Sequence, residues 1–182
     1  MTIAWLILRT SILTPWLGYL CRSDAKFRRL PNWATLGGLA MGLCVQAGFF
    51  GWGGFKEGLC SAGIAVLFLL IPFLLRASGA GDVKMLAASA SFLPVREMPL
   101  FLMAVSFAGV FVAVTMLCMR KVTAARLKHA FRSVFDWTYD RKAGAAAIPP
   151  KDDERARVPF GIAIAIGTWV TLAMEFYVRL AS

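Results

Sequence analysis

Six apolar stretches decide what this chain can become. Five are long, at 3–21, 33–50, 59–75, 100–119 and 158–180, and one, at 83–93, is short. About twenty helical residues at about 1.5 Å each cover the ~30 Å hydrocarbon core of a bilayer, and a helix satisfies its own backbone groups where no water can. With 59% hydrophobic and only 16% charged residues, the 182-residue chain has too little polar surface to clothe a soluble domain of its size. The expectation is an all-α polytopic membrane protein, a single bundle over residues 1–182. Gly37, Gly38, Gly42, Gly63, Gly109, Gly161 and Gly167 lie inside the runs, as expected where helices approach closely. The opening MTIAW has no basic region and the first run contains Arg9, so it reads as a helix of the bundle and not as a cleaved signal.

The net charge of +10 reports orientation before it suggests a nucleic-acid partner. CRSDAKFRRLPN holds Arg22, Lys26, Arg28 and Arg29, and residues 120–157 hold ten more Lys and Arg. The joints FGWGGFKEG and LPVREMP carry one basic residue each. Both basic segments therefore belong in the cytoplasm, and that requires an even number of crossings between them. The short run 83–93 must cross too. The result is six crossings, both termini outside, and a cytoplasmic basic loop at 120–157.

Asp24 just before the second helix and Asp82 just after the third then come to the same membrane boundary. Carboxylates near hydrocarbon are costly and are functional candidates by default. Each also has a structural reading: Asp24 can pair with Arg28 at helical spacing, and Asp82 can cap a helix starting at Val83. Gly79 and Gly81, beside Asp82 in RASGAGDVKML, suggest irregular backbone of the kind tolerated at membrane depth only inside protein or along a wet cavity. Two carboxylates in such a cavity share a proton, so that one can take a proton from water while the other donates to a substrate carbonyl. A carrier or channel using boundary acids for cations or protons is the alternative, and it would favour internal symmetry or several mid-membrane acids.

SDAKFRRLPN (23–32) resembles the first-aspartate motif of the type IV prepilin peptidases, and GAGDVKML (79–86) resembles their GxGD motif. RVPFGIAIAIG (157–167) is similar to the Pro-aromatic segment that opens their last helix. The resemblance implies a six-helix bundle with a short helix after the GxGD loop, working as a membrane aspartic endopeptidase. Its substrates would be type IV pilin or pseudopilin precursors, whose basic leader is removed at the cytoplasmic face of a bacterial inner membrane. Asp24 and Asp82 match the catalytic pair, and no cofactor is implied. Larger relatives carry paired CxxC motifs and methylate the new N-terminus; these motifs are absent here, so the chain resembles the compact form of tight-adherence pilus systems and methyl transfer is left in doubt. Presenilin-like proteins place their first aspartate in a Tyr-Asp motif, unlike Ser23-Asp24.

Around the pair, Lys84 can act on Asp82 or snorkel to the interface. Pro31 suits the first turn of the second helix, and Asn32 can hydrogen-bond near the site. Arg9 is expected to snorkel outward, and Glu175 to pair with Arg179 at i, i+4. Cys21, Cys44, Cys60 and Cys118 show no metal or disulfide spacing and are expected as small buried hydrophobes. His129, the only histidine, has no companion ligand, so no metal site is expected. In RLKHAFRSVFDW, Leu127, Phe131, Val134 and Phe135 share one face, predicting a helix on the anionic leaflet.

Overall fold

The computed structural model describes residues 3–27, 30–74, 78–118 and 160–181, and these are helical almost throughout. In chain order the elements are α1 (Ile3–Phe27), α2 (Asn32–Leu74), α3 (Ala80–Ala90), a single 3-10 turn (Val95–Glu97), α4 (Met98–Cys118) and α5 (Phe160–Ala181). The predicted surface helix around Leu127, and His129, lie outside the described residues.

Among the described residues, three helices are long and apolar enough to cross a membrane: Asn32–Leu74, Val95–Thr115 and Phe160–Ala181. The first differs from expectation, because its 43 residues run through the joint at 51–58 as helix and break only at Gly51, at φ 62° and ψ −148°. That backbone region is essentially reserved for glycine. Residues 43 and 58 would lie about 22 Å apart along a straight helix. Instead, a Cβ on Gly58 would stand 3.2 Å from Leu43 Cδ2, and one on Gly54 would stand 2.3 Å from the Gln46 carbonyl oxygen. The two arms thus fold back on each other as a hairpin, and the missing side chains at Gly54 and Gly58 are what let them touch.

The short α3 is the centre of the bundle. Residues 85–94 are all buried, and Ala87, Ala88, Ser89 and Ala90 are small enough for neighbouring helices to close on them. Around α3 the core is built from Leu13, Leu17 and Leu20 of α1, Ala65 and Leu69 of α2, Phe101 and Val105 of α4, and Ile164 and Leu172 of α5. α3 starts three residues earlier than predicted, at Ala80, because Gly79 serves as its N-cap and Asp82 sits in its first turn. It stops before Pro94, leaving carbonyls without helical partners inside the protein. Ser61 Oγ donates to the Leu93 carbonyl at 2.7 Å, and Arg9 Nη1 donates to that of Phe92 at 3.4 Å.

The outer surface is apolar as well, with Leu67, Ile71, Phe107, Phe111, Tyr177 and Leu180 exposed. A face of that kind suits lipid and not water. Cys44, Cys60 and Cys118 are on this exposed surface and only Cys21 is half-buried, contrary to the expectation of buried thiols. In a membrane bundle an apolar side chain gains nothing by turning inward, because lipid is as apolar as the core.

Candidate functional site

At one end of the bundle the finish of α1, the starts of α2 and α3 and the start of α5 converge. Asp24 lies in the last turn of α1 and is only 7% exposed. The backbone N–H of Gly161, second residue of α5, donates to its Oδ2 at 3.1 Å. One turn earlier on α1, the Cys21 thiol donates to the Gly161 carbonyl at 3.8 Å. The start of α5 is held in place from α4, where the Phe160 ring lies over Gly109: a Cβ there would be 3.0 Å from Phe160 Cε2.

Asp82 is half-buried in the first turn of α3. Its Oδ2 accepts the Gly79 N–H at 2.9 Å and a longer bond from Ser78 Oγ at 3.5 Å. The carboxylate therefore caps its own helix, and the charge is favourable at a helix N-terminus. The N-cap is thus Gly79 and not Asp82 as considered for a start at Val83; Asp82, at the third helical position, reaches back to the cap's N–H.

Three contacts tie the two aspartates' surroundings together. Met85, one turn beyond Asp82, brings its Sδ to 3.3 Å from where a Cβ on Gly161 would be, and Asp24 Oδ2 is 2.8 Å from that same point. A Cβ on Gly81 would meet Leu30 at 3.3 Å, between α1 and α2. Lys84 Nζ donates to Asn32 Oδ1 at 2.9 Å, joining the first turns of α2 and α3. The Pro31 carbonyl accepts from the N–H groups of Ala34 and Thr35, both at 3.1 Å, so Pro31 sits just ahead of α2 instead of inside its first turn.

One sequence reading needs correction here, and another is not tested. Gly79 and Gly81 do not adopt a backbone closed to other residues: Gly79 is extended at φ −86°, and among the described residues only Gly51 has a positive φ. What they provide is room, Gly79 beside Asp82 Oδ2 and Gly81 beside Leu30. Arg28, the partner considered for Asp24, lies outside the described residues.

The far end of the bundle holds charges whose arrangement the sequence reading missed. Arg9 does not snorkel but is fully buried, donating to Glu97 Oε2 at 3.2 Å and to Glu175. Glu175 also pairs with Arg179 as expected, at 3.0 Å. Arg9 lies on the face of α1 that carries Trp5, Leu13, Leu17 and Leu20, and that face is the buried one. The signal was present, because a charge within an apolar run most often faces the bundle and finds a partner there.

Among the described residues no three His, Cys, Asp or Glu side chains gather as a metal-binding group. No curated protein and no solved structure matches the chain. The family model described as the type IV leader peptidase family matches residues 11–114, a span that includes Asp24, Gly79, Gly81 and Asp82. As that match covers more than half of the chain, the protein belongs to the type IV leader peptidase family, a family of aspartic peptidases.

Proposed function

We propose that the protein is a membrane aspartic endopeptidase that removes the basic leader of type IV pilin or pseudopilin precursors at the cytoplasmic face, using Asp24 and Asp82 and no cofactor. The observation that carries this reading is that the last turn of α1 and the start of α3, both within the chain segment the family match covers, converge where Asp24 and Met85 both approach Gly161 of α5. The ionised member of the pair takes a proton from water as its oxygen bonds to the scissile carbonyl carbon. The protonated member donates to the carbonyl oxygen. Collapse of the tetrahedral species breaks the C–N bond, and the departing amine takes a proton from the pair. Gly79 gives the Asp82 carboxylate room and Gly81 gives Leu30 room, while Asn32 and Lys84 hold the starts of α2 and α3 together and Pro31 opens α2. Six crossings with both termini outside place this site at the cytoplasmic boundary, where a basic leader emerges from the membrane.

The test is co-expression with candidate precursors, reading the precursor N-termini by mass. Asp24→Asn and Asp82→Asn should each abolish leader removal with membrane insertion intact. The double variant should be little worse than either, because residues acting as one catalytic unit are strongly non-additive. Leader removal at near-normal rate by either single variant, with no other peptidase present, would sink the two-aspartate mechanism.

A further inference from the structure

We infer that Gly161 is a positioning residue for Asp24, so that α5, which lies beyond the residues matched by the family, helps to build the catalytic geometry. The inference rests on the reading of Asp24 as a catalytic carboxylate. The first N–H groups of a helix have no acceptor within it, and a carboxylate removed from water needs donors. At the junction of α1 and α5 these needs answer each other: Gly161 N–H donates to Asp24 Oδ2 at 3.1 Å, and Asp24 is 7% exposed. The partial positive charge at the start of α5 reinforces the contact.

Only glycine leaves space for this arrangement. A Cβ at 161 would stand 2.8 Å from Asp24 Oδ2 and 3.2 Å from its Cγ, with Met85 Sδ also close at 3.3 Å. The carboxylate would have to move. The helix cannot readily retreat instead. Its start is held by Phe160 over Gly109, and further along a Cβ on Gly167 would meet the Val105 backbone nitrogen at 2.7 Å, so α4 and α5 are in close backbone contact there. The carboxylate is thus oriented before substrate arrives, and preorganisation of that kind lowers the barrier to the chemical step.

The full-length protein in proteoliposomes, assayed with a precursor, tests this. Gly161→Ala should lower kcat on the order of 10- to 100-fold, the cost of misplacing a catalytic group by about 1 Å, and leave KM within about twofold. Its inserted yield and thermal midpoint should stay close to those of Gly63→Ala, a change made where a Cβ meets nothing within 4 Å. A glycine that served packing alone would lower yield and midpoint and leave kcat per folded molecule unchanged. If Gly161→Ala does not insert, Phe160→Ala decides, because it loosens the start of α5 without crowding Asp24: kcat should fall at unchanged KM, and an unchanged kcat overturns the inference. Asp24→Asn is assayed in parallel. If it is inactive while Gly161→Ala turns over normally, the positioning role alone is wrong; if Asp24→Asn itself cleaves normally, the catalytic assignment fails and the inference falls with it.

Discussion

Gly38 and Gly81 look alike in the sequence but face different surroundings. A Cβ on Gly38 would stand 2.3 Å from the Trp16 ring, whose indole N–H donates to the Ala34 carbonyl at 3.0 Å and so cannot easily swing away. Gly38→Val should therefore cut the yield of inserted protein sharply, as measured by detergent extraction and thermal unfolding. Gly81 faces the Leu30 side chain at 3.3 Å, which can shift by a few tenths of an ångström. Gly81→Ala should insert normally and keep most of its cleavage activity, whereas Gly81→Val should lose activity at normal yield. For the Lys84–Asn32 bond, Lys84→Met and Asn32→Ala should show coupling of about 1 kcal/mol in a double-mutant cycle on cleavage, the double variant adding little to either single. GAGD was legible as a motif, but its glycines were read as special backbone. A sequence records that a side chain is missing, and only the packing tells whether the need is for a torsion angle or for space.

Gly51 is the one described position where the torsion itself matters, and Gly51→Val should cost about 1–3 kcal/mol of stability, read as a lowered unfolding midpoint against Gly63→Ala. The apolar runs announced the helices, since length and hydropathy are local properties. The turn was harder to place, because 51–58 contains four glycines and only the contact between the two arms makes the first of them the hinge. The α1–α5 pairing was less legible still, because Arg9 and Glu175 are separated by 166 positions. Arg9→Met would leave Glu97 and Glu175 without their buried partner and should destabilise the bundle by about 3–5 kcal/mol; replacing both glutamates by Gln in the same chain should recover much of that loss.

α1 and α5 run antiparallel, joined by Asp24 and Gly161 at one end and by Arg9 and Glu175 at the other. The proposed orientation, with the site at the cytoplasmic boundary, predicts that cysteines introduced at Lys26 and Ala80 resist an impermeant reagent in intact cells, while one at Gly53 reacts. Ready labelling at either of the first two, with the membrane intact, would overturn the orientation. That orientation is an expectation from charge and parity, which carry no sign of the ionic cluster at the far end, because it exists only once distant segments meet. The cluster has a consequence during synthesis. Arg9 is made with the first helix and is fully buried in the finished bundle, where a charge needs a partner, and Glu175 is made only as the chain is nearly complete. Until then the nascent protein holds an arginine whose final partner has not been translated. A ribosome that stalls or terminates before α5 should release a product that quality-control proteases remove, and pulse-chase of a chain ending at residue 157 should show rapid turnover that Arg9→Leu slows.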